Sequence, residues 1–151
     1  DMNAWVGTVS GVYYFSYSGR SSKQGTANTY QYPRGDANNL VSFFCGPGYM
    51  GNYTRNQAGY PVIDSTWWES DCVVPTKAQK APTIMLSGSS FVSTGVVIND
   101  ISAGGTPQLG KWNWKGLKDT YDHLDLVGWI PNPDFDAVTF YKTHIDQLRG
   151  L

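Results

Sequence analysis

Apolar positions in this chain come in short bursts rather than long periodic runs. The first burst, Val12-Tyr13-Tyr14-Phe15-Ser16-Tyr17, is aromatic and bracketed by Gly11 and Gly19, the pattern of a buried β-strand. A long connection follows over residues 18–64, punctuated by Gly35, Gly46, Gly48, Gly51 and Gly59 and by Pro33, Pro47 and Pro61, with one helical turn expected over residues 40–44. A connection of that length inside a compact domain reads as functional. Thr66-Trp67-Trp68-Glu69-Ser70-Asp71 then leads into the apolar pair Val73-Val74 before Pro75. A second irregular stretch, residues 76–110, contains Ile84-Met85-Leu86 and Val96-Val97-Ile98 as short strands. Residues 111–114 predict a strand with Trp112 and Trp114 on one face, and residues 121–128 a turn around Asp122-His123-Leu124-Asp125. The last element is the clearest. Pro133 suits a first helical position and Asn132 the cap before it. Val138, Tyr141, Ile145 and Leu148 then fall at helical spacing as one apolar stripe, and Gly150 ends the helix.

The chain has 151 residues, enough for one domain with a core, and its 40% apolar and 15% charged residues mark it as globular rather than disordered. A formal net charge of −1 without a Lys/Arg cluster argues against a nucleic-acid binder. No apolar run approaches the roughly 20 residues that span a bilayer. Abundant Trp, Tyr and Gly with sparse charge suit an extracellular protein with long ordered loops. Cys45 and Cys72 would form one disulfide in that setting, stabilising by about 3.5 kcal/mol; the other reading is two reduced, buried thiols. Asn52-Tyr53-Thr54 is an N-glycosylation sequon that points the same way. The sequence begins with Asp1, so a processed piece is expected.

Two histidines limit the chemistry. His144, beside Lys142 and Asp146 in the last helix, reads as a helix-surface residue. His123 lies in a turn after a tryptophan-rich strand, where a rigid scaffold can hold a general base. Asp71 sits at a strand end before an apolar run, where a carboxylate set against an imidazole would fix its tautomer. The residues alone also fit a solvated loop aspartate and an ordinary loop histidine. The nucleophile elbow Gly-x-Ser-x-Gly is absent, since neither Gly7-Thr8-Val9-Ser10-Gly11 nor Gly88-Ser89-Ser90 fits it. Phosphate-binding loops and paired zinc-ligand motifs are absent as well. A candidate base and a candidate orienter are present with nothing to activate.

Several segments, taken in order, carry a resemblance: Val12-Tyr13-Tyr14-Phe15-Ser16-Tyr17, then Trp67-Trp68-Glu69-Ser70-Asp71-Cys72-Val73-Val74, then Gly110-Lys111-Trp112-Asn113, then Asp122-His123-Leu124-Asp125, then Pro131-Asn132-Pro133-Asp134-Phe135-Asp136 before the final helix. Asn3-Ala4-Trp5-Val6 extends it to the start. Together they resemble the secreted bacterial lipases of the thermoalkalophilic and staphylococcal type. The resemblance implies an α/β fold, with residues 1–151 as the C-terminal half of one α/β-hydrolase domain, a mostly parallel sheet with flanking helices and long ordered loops. It implies Asp71 as triad acid and His123 as triad base of an acylglycerol or related ester hydrolase. The serine would come from an N-terminal half acting as partner, and the location would be extracellular. No cofactor would be needed for the chemistry. Two departures from the family pattern stand out. Cys72 replaces a glycine after the acid, which gives Cys45 a disulfide partner beside the catalytic loop. The family's calcium ion sits near the histidine loop; Asp125 keeps one ligand type, but Ile130 occupies the place of a second carboxylate, which makes calcium binding weak or absent. Residues 76–110 are longer than the family's equivalent. Two other readings compete: an aromatic-rich, carbohydrate-binding extracellular module, whose sign would be a planar row of exposed Trp or Tyr with His123 far from Asp71, and an inactive hydrolase remnant.

Overall fold

The structure, a computed structural model, describes residues 7–26, 30–87 and 90–151. The stretch Asn3-Ala4-Trp5-Val6 lies outside the described residues. Among the described residues the central sheet has three strands in the order β1 (Tyr14–Arg20), β7 (Trp112–Asp119), β6 (Ile98–Asp100), and both pairings are parallel. Two antiparallel pairs stand apart from it: β2 (Ser22–Gln24) with β3 (Gln31–Pro33), and β4 (Ile84–Ser87) with β5 (Ser90–Ser93). The helices are α1 (His123–Leu126) and α2 (Ala137–Leu148).

Tyr, Phe and Ser alternate along β1, so its two faces differ. Phe15 and Tyr17 face α2, with Tyr17 against Phe140 at 4.9 Å and Phe15 against His144 at 5.4 Å between ring centroids. Ser16 and Ser18 face the other way, where Ser16 donates to the Lys80 carbonyl (2.6 Å) and Ser18 accepts from the Trp114 indole (2.9 Å). A 3-10 turn, Ala78–Lys80, covers that second face, with the Lys80 ammonium 3.9 Å from the Trp114 ring centre. The β1–β7 register slips between Ser16 and Ser18, and Gly116 of β7 takes φ 106 there, a bulge that a side chain would resist. A parallel sheet with helical elements on both faces is an α/β arrangement.

Among the described residues much of what is buried is polar. Ser18, Ser21, Ser22, Ser70, Asp71, Asn113 and Asp122 are fully buried, whereas the buried apolar cluster there consists of Val41, Cys45, Cys72 and Leu124, with Ala81, Ile101 and Phe135 buried outside it. Asn113 shows how such burial is compensated. Its amide donates to the carbonyls of Tyr14 (3.0 Å), Gln108 (3.0 Å) and Lys111 (3.1 Å), and its oxygen accepts from Gln108 N (2.7 Å) and Asn99 Nδ2 (2.8 Å).

Four expectations need correction. The last helix starts at Ala137 under an Asp136 cap, which accepts from Thr139 N at 3.1 Å, and not at Pro133 under Asn132. Pro133 instead lies in a turn closed by Phe135 N to the Asn132 carbonyl (3.2 Å), where its fixed φ serves equally well. The stripe Val138, Tyr141, Ile145 and Leu148 is exposed rather than packed, because α2 turns Phe140 and His144 onto the aromatic face of β1. The strand expected over residues 96–98 begins only at Ile98, and the turn after β7 contains the short helix α1. A 3-10 turn does form early in the long connection, over Ser42–Cys45.

Candidate active site

Both loops of interest lie at the carboxyl ends of adjacent parallel strands: the histidine loop follows β7 directly, and the acid loop packs against the end of β1. The acid loop, residues 69–76, is tied to the end of β1 by Ser21 N to the Ser70 carbonyl (2.9 Å) and by Ser70 N to the Ser22 hydroxyl (3.0 Å). Asp71 is 2% exposed. Its Oδ1 accepts two backbone donors, Val73 N at 2.9 Å and Val74 N at 2.7 Å, which fixes the carboxylate plane. Its Oδ2 then meets His123 Nδ1 at 3.0 Å. The two residues also share a backbone link, His123 N to the Asp71 carbonyl at 3.0 Å.

His123 is the first residue of α1, and α1 is aimed by a reciprocal cap. Asp122 accepts from Leu124 N (2.8 Å) and Asp125 N (3.0 Å), and Asp125 accepts from Asp122 N (3.0 Å). The second oxygen of Asp122 accepts from Asn38 N at 2.6 Å, which binds the long connection to the same cap. The strand ends themselves are clamped by Arg20. It donates twice to Asp119 at the end of β7 and once to Glu69 of the acid loop, each at 2.9 Å. This hydrogen bond to Asp119 raises the Arg20 pKa further and holds the Asp119 carboxyl below its ordinary range. Gly19 is required by packing, since a Cβ there would run into the Leu126 side chain, the Tyr121 carbonyl at 3.0 Å and Asp71 Cβ at 3.1 Å.

Backbone strain collects on these loops. Among the described residues the non-glycine positions with positive φ are Cys72 (φ 75), next to Asp71, and Thr120 (φ 70), three residues before His123. Cys72 is bonded to Cys45, with Cα atoms 4.4 Å apart, so the disulfide links the acid loop to the Ser42–Cys45 turn.

The chemistry follows from the hydrogen bonds. A buried carboxylate accepting from Nδ1 keeps the imidazole proton on that nitrogen and leaves the Nε2 lone pair available. Among the described residues Nε2 has no hydrogen-bond partner, and the side chain is 35% exposed. His123 lines a cavity of about 340 Å³ together with Phe15, Tyr17, Val74 and Phe140. On the other side of the acid loop Val73 lines a separate, larger apolar cavity of about 550 Å³ with Phe44, Tyr49, Met50, Tyr53, Ile63 and Trp67.

The other candidate residues fall outside this pair. Asp125 is buried, and burial raises its carboxyl pKa. Its oxygens already accept from Asn132 Nδ2 (2.7 Å) and Asp122 N (3.0 Å), both of Asp122's accept N–H groups, and the Ile130 side chain offers no oxygen. Among the described residues no cluster of three or more His, Cys, Asp or Glu stands ready for a metal ion. His144 is half-buried rather than a surface residue; its Nδ1 lies 3.2 Å from the Tyr17 hydroxyl and 3.3 Å from Lys115 Nζ, and burial lowers its pKa, with Lys115 adding to the effect. Asn52 is exposed in a turn. Arg20, Gly19, Ser22 and the Asp122 cap are missed by sequence reasoning. Of these only the cap leaves a local signal, the spacing Asp122-x-x-Asp125 ahead of an apolar residue.

The fold and this pair define an α/β domain that presents an acid-supported histidine beyond the carboxyl ends of its parallel strands. No protein-family model matches the chain. Three solved structures are similar to it. Lipase 1 from Pelosinus fermentans is 31% identical over 99% of this chain and 36% of its own, with a TM-score of 0.69. EstA from Clostridium botulinum is 28% identical over 87% of this chain and 28% of its own, with a TM-score of 0.66. The Staphylococcus hyicus lipase shares the fold, with a TM-score of 0.71 over 97% of this chain and 33% of its own, at 16% identity. The chain is thus related to bacterial lipases, and it spans about a third of the length of these neighbours.

Proposed function

We propose that this chain is the C-terminal half of an α/β-hydrolase domain that hydrolyses acylglycerol-type esters, and that Asp71 and His123 are its triad acid and base. The carrying observation is the 3.0 Å contact of a buried Asp71 with His123 Nδ1, which leaves Nε2 free on a side chain that lines a cavity. In this reading His123 Nε2 takes the proton of a serine hydroxyl supplied from outside residues 1–151, and the serine oxygen attacks the ester carbonyl. The alcohol leaves with that proton. His123 then takes a proton from water as the water oxygen attacks the acyl carbon, and passes it to the serine oxygen as that bond breaks and the acid leaves, while Asp71 stabilises the imidazolium in both steps. The apolar cavity around Phe44, Tyr49 and Trp67 would take the acyl chain. No step uses calcium.

Two features support a missing half. Among the described residues β1 pairs with a strand on one edge only. The outer face of α2 exposes Val138 (77%) and Ile145 (51%). An N-terminal half carrying the serine would cover both. An extracellular location with a glycan on Asn52 fits the disulfide and the exposed turn. Among the described residues no helix is long and apolar enough to cross a membrane. A binding module would combine a planar row of exposed Trp or Tyr with a His123 far from Asp71, and the second of these is not met. The test is hydrolysis of a p-nitrophenyl ester by the full-length polypeptide with and without His123→Ala. Activity that survives the substitution overturns the reading, as does activity that chelation of calcium removes for the calcium-free mechanism.

A further inference from the structure

Cys72 holds a conformation that its side chain opposes. At φ 75 a Cβ crowds the backbone, and glycine is the residue that tolerates this region freely. Residue 72 is also the pivot of the acid loop. Asp71 precedes it, and the next two N–H groups, on Val73 and Val74, are the donors that fix Asp71 Oδ1. A return of residue 72 to ordinary φ would swing those donors off the carboxylate and turn Oδ2 away from His123 Nδ1. What resists that return is on the page. Cys72 is wholly buried, its N–H reaches the Ser70 hydroxyl at 3.3 Å, and its sulfur is bonded to Cys45 across 27 residues of sequence. Cys45 is itself wholly buried and sits at the end of a 3-10 turn whose carbonyl groups are taken up locally, as in Gly46 N to the Phe43 carbonyl at 3.3 Å and Met50 N to the Phe44 carbonyl at 3.2 Å.

We infer that Cys72 is a positioning residue for Asp71: the Cys45–Cys72 bond holds residue 72 in the left-handed conformation that keeps the carboxylate on His123. The tether supplies from outside what glycine would supply by itself. This rests on the reading of Asp71 and His123 as acid and base, and it adds a redox dependence, because reduction of the bond to two thiols leaves a side chain at φ 75 without its anchor.

The test compares Cys45→Ala/Cys72→Ala with Cys45→Ala/Cys72→Gly in the full-length protein. Both lack the bond, but only alanine retains a Cβ at the strained position. The alanine pair is expected to lose kcat by about tenfold or more, with KM within about twofold, as befits a residue that acts on the chemical step. It is also expected to lose the downfield His123 Nδ1 proton resonance that a buried carboxylate partner produces. The glycine pair is expected to recover the resonance and to return kcat to within about threefold of wild type. Should the alanine pair fold poorly, tris(2-carboxyethyl)phosphine added to the folded wild-type protein gives the same contrast, with loss of the resonance in the wild type and no change in the glycine pair. Equal behaviour of the two pairs, whether both active or both impaired, overturns the inference. Activity that survives His123→Ala would instead sink the catalytic reading itself, so the two failures are distinguishable.

Discussion

The acid–histidine corner and the outer face of α2 invert the usual relation between polarity and burial. At the corner Asp71, Asp122, Ser22 and Ser70 are almost completely hidden, and each has named partners within this chain. On α2, Val138, Tyr141, Ile145 and Leu148 form an apolar stripe that lies open, and Trp129 nearby is 76% exposed. Buried polar groups cannot wait for a partner, because an unmatched one costs about 1–3 kcal/mol. An exposed apolar stripe costs far less and can be covered later. The corner is therefore satisfied by residues of this chain, while the outer face of α2 stands open.

The sharpest test of that contrast is catalytic. In the full-length protein, Asp71→Asn is expected to lower kcat by roughly four orders of magnitude, because the amide presents the wrong partner to Nδ1. His123→Ala should remove at least about a thousandfold. Initial rates on a soluble ester measure both, and a change below tenfold in either would break the corner as a functional unit.

The next largest effect is on folding. Asn113→Ala deletes an amide that satisfies five backbone and side-chain groups, so the full-length protein should lose about 2–4 kcal/mol, read as a lower denaturant midpoint at unchanged slope. A loss below about 0.5 kcal/mol would mean that water replaces the amide and that the buried polar layer is not self-contained.

On the open side, Ile145→Lys should leave the isolated 151-residue chain within about 0.5 kcal/mol of its starting stability and should destabilise the full-length protein by about 1–3 kcal/mol. Equal, small effects in both would show that nothing covers α2. The smallest effect concerns pH. Burial lowers the His144 pKa, so the unfolded chain binds a proton that the folded chain resists. That contribution is present above the unfolded value of about 6.5 and is lost as pH falls through the folded value. Stability of the wild-type protein should decline modestly on acidification below neutrality, and His144→Gln should flatten that slope. An NMR titration placing His144 above about 6.5 would refute it.

The parts of the molecule legible in the sequence are those set by local pattern. The aromatic run at Tyr14 and the Trp112–Trp114 alternation announce β1 and β7, and helical spacing announces α2. What periodicity could not tell was which face of α2 would be used. Val138, Tyr141, Ile145 and Leu148 are the more apolar set, yet Phe140 and His144 match the rings of β1 and win the sheet-facing position. Asn132 and Pro133 carry a helix-start signal that is equally a turn signal, and the demand of Asp125 for a donor decides between them. Asp71 and His123 could be nominated by motif order, but their meeting depends on Arg20 and Gly19, which act across the sheet and leave no trace in neighbouring residues.

The pairing of β1 with β7 also bears on the order in which the molecule is made. Asn113 reaches the Tyr14 carbonyl across 99 residues, so the β1–β7 seam must wait for most of the chain to emerge from the ribosome. Cys45 and Cys72 are both synthesised before β7, and their bond shortens the tether between the two strands by looping out the residues between them. An oxidising compartment can therefore lock the acid loop while the histidine that needs it has yet to be translated, and the slow, long-range step of sheet closure then starts from a smaller loop.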